Sequence, residues 1–320
     1  MYKKCTMLIN PKSSKYNAKV IENCKSIIQD KGYNLDVVFP DETNFLQSFY
    51  QKASKANENS DLVMTYGGDG FFGLYQNILH QEGQNAIISH IPMGTANDMA
   101  LNLGITPKTI EATKDTLEGT VEERDIVTSN DIAFGYVSTF GHITNIPYDT
   151  PANLKKIGPA GYLVAALPDI LKLINGKYKT YQITITTPTK KQKMECLLGA
   201  VSNAKGFGGV ELYPSASQND GKFEVLLVKP QIIKKVPKLI KDFSYALIKS
   251  KRTPLNIFEN YQDEIEFFQT DFLQIDFEQS PEKPFDNDGD KGPLLKQGEP
   301  ITYQTKQKCK LLLPKRITKQ

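Results

Sequence analysis

The chain has 320 residues, with 39 Lys and Arg against 36 Asp and Glu and a net charge of +3. So even a balance excludes a polyanion-binding surface spread over the whole molecule. The length exceeds what one hydrophobic core usually fills, so two domains are expected.

Lys3 and Lys4 lead straight into a strand-like run at residues 6–9, with no secretory leader pattern, which predicts a cytoplasmic protein. The most apolar stretch, residues 161–174, contains Pro168, Asp169 and Lys172. It falls short of the roughly 20 residues a spanning helix needs, so no transmembrane segment is expected. Cys5, Cys24, Cys196 and Cys309 are far apart and lack zinc or redox spacing. They read as reduced core thiols.

After the strand at 6–9, residues 15–30 place Val20, Ile21, Cys24, Ile27 and Ile28 on one helical face, with Gly32 as a stop. Residues 35–39 read as the next strand, and Phe45, Leu46, Phe49 and Tyr50 mark a second helix. The run at 61–66 then enters Gly67-Gly68-Asp69-Gly70, followed by Phe71, Phe72, Leu74, Tyr75, Ile78 and Leu79 at helical spacing. A strand therefore passes into a helix across glycine. Glycine lets the backbone turn freely and lets a phosphate approach the amides, while the helix start adds N–H donors and a positive dipole end. A second strand, 86–91, enters Pro92-Met93-Gly94-Thr95-Ala96-Asn97-Asp98 in the same way, with Asn97 or Asp98 able to cap a helix near Met99. Thr106-Pro107 opens a last helix reaching Gly119.

This alternation predicts a wound α/β domain whose ligands gather at the carboxyl ends of the strands, where Asn10 and both glycine loops fall. Two such loops in tandem point to a nucleotide-using enzyme. Each could alternatively be a plain tight turn. Asp69 calls for a cation between its carboxylate and a phosphate, which a magnesium nucleotide would supply.

From about Val121 short strands take over, at 181–187, 197–202, 223–228 and 273–277, with turns at 219–221 and 286–289. Helix-like stretches interrupt them at 158–177 and 232–250. A β-rich second domain is expected.

Five motifs recur in a family's order: Asn10-Pro11-Lys12-Ser13-Ser14, Gly67-Gly68-Asp69-Gly70, Gly94-Thr95-Ala96-Asn97-Asp98, Gly208-Gly209 with Pro214 and Asp220-Gly221, and Asp288-Gly289-Asp290. Over nearly its whole length the chain resembles the soluble bacterial diacylglycerol kinases and their sphingosine and ceramide kinase relatives. The resemblance implies an α/β nucleotide-binding domain over 1–122, a sandwich-like β-rich lipid-substrate domain over 123–299, a tail at about 300–320 packing back on the first, and an active site in the cleft between the two. The implied reaction moves the γ-phosphoryl group of ATP, with Mg2+, to the hydroxyl of diacylglycerol or a similar lipid alcohol.

Carried over by motif, Asn10, Pro11, Ser13, Ser14, Thr43, Gly67, Gly68, Asp69, Gly70, Gly94, Thr95 and Asn97 would bind nucleotide, with Asp69 also catalytic. The family's Asp-Gly-Glu falls on Asp288-Gly289-Asp290, which makes Asp290 the implied proton acceptor and Asp288 its neighbour or substitute. Asp220, with the backbone carbonyls of Ser217 and Lys222, would hold a structural magnesium. Locally, a polar hairpin turn at 288–290, a plain turn at Asp220-Gly221, a Ser-capped turn after Asn10 and a helix cap at Thr43 explain the same residues.

The chain departs from the family after the first loop, where Phe71-Phe72-Gly73-Leu74 replaces a hydroxyl residue and an Asn-Glu pair, and Leu101 stands where an arginine is usual. Those changes keep open a pseudo-kinase that binds lipid or nucleotide without turnover. A kinase of a soluble metabolite is the other rival, since NAD kinases and phosphofructokinases share Gly-Gly-Asp-Gly. Lys229, Lys234, Lys235, Lys238, Lys241, Lys249, Lys251 and Arg252 are interleaved with apolar residues from Ile232 to Ile248. A basic amphipathic helix of this kind suits peripheral association with the inner face of the membrane, or an ordinary surface helix. His80, His90 and His142 read as structural or surface residues, no nucleic-acid motif stands out, and a homodimer is left open.

Overall fold

A computed structural model describes residues 3–141, 150–155, 159–248 and 257–315. His142, Ser250 and the basic positions Lys249, Lys251 and Arg252 lie outside them, as does the tail beyond residue 315. The chain divides into two compact units, one formed by the segment up to Ile126 together with the chain from Gln307 onward, the other by Val127–Lys306.

In the first unit, β1 (Lys4–Ile9), β2 (Asn34–Val38), β3 (Leu62–Gly67) and β4 (Ile87–Pro92) form a parallel sheet in the order β2-β1-β3-β4. Every residue of β3 is buried, as a central parallel strand covered on both faces requires. Helices α1 (Ala18–Asp30), α2 (Phe45–Asn59), α3 (Asp69–Glu82), α4 (Asp98–Asn102) and α5 (Thr109–Leu117) alternate with the strands, α1 packing on α5 and α2 on α3. This is the wound α/β layer expected from the alternation.

Helix α1 starts later than Lys15 because Asn17 caps it, its side-chain oxygen accepting from the amides of Lys19 at 2.9 Å and Val20 at 3.2 Å. Lys15 lies in the preceding loop, its amide donating to the Met93 carbonyl at 3.0 Å. The last helix likewise begins at Thr109 rather than near Pro107, with the Thr109 hydroxyl donating to the Pro92 carbonyl at 3.0 Å.

The end of the strand Ile301–Leu313 extends this sheet, pairing parallel with β4 at Leu311 and Ile88. Leu313 sits against Gly119, where an added Cβ would lie 1.8 Å from the Leu313 carbonyl oxygen.

The second unit is antiparallel and strand-rich. One sheet runs Ile265–Thr270, Phe223–Val228, Leu198–Ser202, Val137–Gly141, Asp286–Asn287, Asp290–Lys291. In a second set, Phe272–Phe277 pairs with Ile301–Gln304 on one side and Tyr181–Thr186 on the other, and Lys191–Cys196 closes the edge. One core joins the inward residues of both sets, with Phe140 edge-on to Phe277 at 5.1 Å and tilted against Phe285 at 5.4 Å. The strand Lys191–Cys196 escapes a reading by apolar runs because only Met194 and Cys196 face inward between lysines and a glutamate.

A 3-10 turn, Pro230–Lys235, leads into the helix Val236–Ile248, which packs on the helix Pro159–Ile174 through Val236 and Ile240 against Ala166 and Ile170. The apolar face of the basic helix is thus turned inward.

Gly119→Ala is predicted to destabilise the first unit by about 2 kcal/mol or more, because the obstacle is backbone and cannot rotate away. Urea unfolding would read this, and an unchanged midpoint would mean that the last strand does not seat at Gly119.

Candidate active site

The two glycine loops touch each other backbone to backbone. A Cβ on Gly94 would lie 2.6 Å from the Gly68 Cα, and one on Gly68 would lie 3.3 Å from the Gly94 Cα. Glycine is therefore required here by loop packing as well as by any approaching ligand. The Met93 amide donates to the Gly67 carbonyl at 2.7 Å, carrying the β3–β4 pairing into the loops.

Asp69, at the first position of α3, reaches across to the second loop, its carboxylate accepting from the amides of Asp98 at 3.1 Å and Met99 at 2.9 Å. That carboxylate caps α4 from outside, at the positive end of the helix dipole. Asn97, one of the two candidates for that cap, stands at the N-cap position but makes no side-chain capping bond. It sits in the left-handed region at φ 56°, with its side chain closed on the Gly94 amide at 2.8 Å and carbonyl at 2.9 Å. The placement of Asp69 in a phosphate-type loop thus has a structural cause that needs no cation.

The loop after β1 joins the same cluster. Asn10 donates its amide to the Tyr66 carbonyl at 2.9 Å and accepts from the Lys12 amide at its side-chain oxygen, also at 2.9 Å. The Thr95 hydroxyl donates to Ser14 Oγ at 3.0 Å. Ser13 Oγ is buried with no hydrogen-bond partner among the described residues, which suits contact with a bound group. Lys12 reaches the loop before α2, donating to the Glu42 carbonyl at 3.2 Å and lying 5.3 Å from the Phe45 ring centre. Thr43 in that loop is exposed, and Asn44 rather than Thr43 stands at the N-cap position of α2. The structure therefore brings Asn10, Ser13, Ser14, Gly67, Gly68, Asp69, Gly94, Thr95 and Asn97 to one set of strand ends. First-turn amides of α3 have no intrahelical acceptor and add N–H donors there, whereas those of α4 at Asp98 and Met99 are taken by Asp69.

Phe71 is 4% exposed and lies edge-on to Phe49 of α2 at 4.9 Å. The aromatic departure after the first loop is thus packing between α2 and α3. His90 is buried against the Phe72 ring, 4.9 Å between ring centres, and burial holds its imidazole down at about 3. It is a neutral core residue.

In the second unit, Asp286–Asn287 and Asp290–Lys291 form a hairpin whose central residues, Asp288 at φ 59° and Gly289 at φ 86°, adopt the paired left-handed geometry of a type I′ turn. Asp288 is buried, and its carboxylate accepts from the amides of Gly135, Tyr136 at 2.9 Å and Val137 at 3.1 Å. Burial pushes its carboxyl up to about 6 even though these three donors favour the anion. A carboxylate so fully engaged anchors the turn, which is a poor station for a proton acceptor. Asp290 is exposed. Asp220 is also exposed and accepts from the Lys222 amide at 3.1 Å, an Asx turn, while Ser217 Oγ donates to Asn219 Oδ1 at 2.9 Å. Among the described residues no group of three or more His, Cys, Asp or Glu is arranged to hold a metal.

Several buried charged groups among the described residues escaped the sequence reading. Arg124 and Asp125 lie consecutively in Thr120–Ser129, with Lys308 Nζ 3.8 Å from Asp125. Glu224 accepts from Gln269 at 2.9 Å, and burial raises its carboxyl to about 7. The run Glu122 to Asp125 reads as solvated from sequence alone.

Asp286, beside the turn, is buried, with its carboxyl raised to about 8 chiefly by desolvation. An acid whose folded pKa is raised contributes stability that is fully present below its unfolded value near 3.8 and is lost as pH rises through about 8. Asp286→Asn, which can still accept from the Gly289 amide as Asp286 does at 2.9 Å, should therefore flatten the alkaline fall in stability. Urea midpoints at pH 5 and pH 9 would check this, and parallel slopes for the two proteins would refute it.

Residues 4–129 match the model of the diacylglycerol kinase catalytic domain. The "Probable lipid kinase YegS-like" protein of Shewanella frigidimarina is 29% identical over 296 residues, which covers 91% of this chain and 85% of that protein. A diacylglycerol kinase of Bacillus subtilis is 30% identical over 172 residues, 53% of this chain and 55% of that protein. In fold, the chain is similar to a crystal structure titled as a diacylglycerol kinase from Bacillus anthracis, with a TM-score of 0.73, 20% identity, and coverage of 98% of this chain and 97% of that one. Over residues 4–129 the chain is therefore similar to the diacylglycerol kinase catalytic domain.

Proposed function

We propose that the protein is a lipid kinase that transfers the γ-phosphoryl group of ATP to the hydroxyl of diacylglycerol or a similar lipid alcohol. The observation that carries this reading is the locked pair of glycine loops, Gly68 against Gly94 with Asp69 bonded across to α4, in a segment similar to that catalytic domain. Phosphoryl transfer asks mainly for positioning and for donors facing the transferred group. When bound, the magnesium nucleotide supplies the transferable phosphoryl group. Helix-start amides of α3, the Ser13 and Thr95 hydroxyls and the Asn10 side chain orient its phosphates in this reading. Thr43, Pro11 and Gly70 complete the proposed nucleotide contacts.

Mg2+ typically binds through one or two carboxylates plus substrate phosphates rather than in an all-protein cage, which agrees with the absence of a three-carboxylate cluster among the described residues. A structural magnesium at Asp220, with the Ser217 and Lys222 carbonyls, is part of the proposal. It predicts that Mg2+ raises the unfolding temperature of the wild type more than that of Asp220→Ala.

Asp290 takes the acceptor's proton in this mechanism. Its exposure leaves it able to meet a substrate hydroxyl, while Asp288 holds the turn that presents it. Phe71 has a packing role against α2, which supports the kinase over a pseudo-kinase. The remaining places in this reading are the cytoplasm and its membrane surface.

Labelled ATP, Mg2+ and extracted membrane lipids should give a labelled lipid with the wild type. Asp290→Ala should lower the rate on the order of 100-fold without changing the unfolding temperature. Asp69→Ala should lose activity and also about 1 kcal/mol of stability, through the missing cap. Full activity in Asp290→Ala would remove it as the base, and ATP binding without any labelled lipid would return the pseudo-kinase.

A further inference from the structure

The helix Pro159–Ile174 carries apolar residues on two faces. One face, with Ala166, Ile170 and Leu173, is buried, and Ala166 and Ile170 pack on the basic helix. The other, Val164, Leu167, Leu171 and Ile174, stands 44–57% exposed. At about 100° per residue these four fall within an arc of about 80°, a continuous stripe roughly 15 Å long. Scattered exposed leucines are ordinary, but an aligned row of this kind marks a contact surface.

We propose that this stripe is the membrane-docking element, lying in the plane of an anionic bilayer with its four apolar side chains among the acyl chains. The argument for that occupant is charge. Lys177 is exposed just after this helix, and Lys238 and Lys241 are exposed on the adjoining one. The two acidic residues of these helices are already engaged, Asp169 with Lys172 at 2.7 Å and Asp242 with the Tyr261 hydroxyl at 2.8 Å. Exposed lysines on this pair of packed helices match anionic headgroups, as the stripe matches acyl chains. A second copy of the chain would set the same lysines against one another, which disfavours self-association through this face. No described helix is long and apolar enough to cross a membrane, so the stripe lies on the bilayer rather than through it. The basic helix singled out from sequence supplies charge, and its neighbour supplies the apolar contact. The inference rests on the lipid-kinase reading only for why the enzyme must visit a bilayer.

The chain contains no tryptophan, so Leu171→Trp gives a single indole at the stripe. Its emission should shift to the blue on adding phosphatidylglycerol vesicles and stay unshifted with phosphatidylcholine vesicles. Leu167→Gln with Leu171→Gln should weaken sedimentation with phosphatidylglycerol vesicles at least about tenfold, and Lys238→Gln with Lys241→Gln by a similar factor. Both positions of the leucine pair are exposed, and circular dichroism would verify folding. A short-chain lipid alcohol below its micellar concentration separates this idea from the kinase reading. The leucine variant should phosphorylate it at the wild-type rate while losing activity on vesicles. If the wild type has no activity on either substrate, the kinase reading fails while the vesicle-binding result still decides the docking. An unshifted indole, unchanged sedimentation of the leucine variant, or a dimer in light scattering that this variant abolishes would each overturn the proposal.

Discussion

The contact on which the first unit depends is the one between Gly68 and Gly94, where two βα loops meet with no side chain between them. A Cβ at Gly94 would push the loops apart and loosen the hold of the Asp69 carboxylate on the start of α4. Around that contact the remaining features follow from ordinary rules. Parallel strands deliver three loops to one edge, helix starts leave amides without intrahelical acceptors, and small hydroxyl residues fill the gaps.

Carboxylates divide by environment into those that hold structure and those that can meet a substrate. Asp69 and Asp288 both accept from backbone amides and fix local geometry. Asp286 sits where desolvation resists its charge. Asp290 is the exposed acid of the hairpin. Sequence places all four acids near glycines, and only the hydrogen bonds separate their parts.

The strand and helix pattern of the first unit was legible because parallel strands buried on both faces write continuous apolar runs, such as residues 62–67. Asn17 and Asn97 show where it was not. One asparagine caps a helix and the other closes its own loop in a left-handed conformation, a difference set by backbone dihedrals rather than residue type. The charged strand Thr120–Ser129 was hidden because Arg124 meets Glu122 and Asp125 meets Lys308 only after folding. The direction of Asp69 was equally invisible, since its partners are main-chain amides that every residue possesses. In the second unit the basic helix was legible as amphipathic, but which helix leaves apolar surface outside depended on tertiary packing.

The central claim is that Gly68 and Gly94 together shape the proposed phosphate site. Titration calorimetry of MgATP into the wild type and into Gly94→Ala, each verified as folded, tests it most directly. The account predicts binding by the wild type and an affinity at least about tenfold weaker in the variant. Equal affinities, or a folded wild type that binds no MgATP, would contradict it.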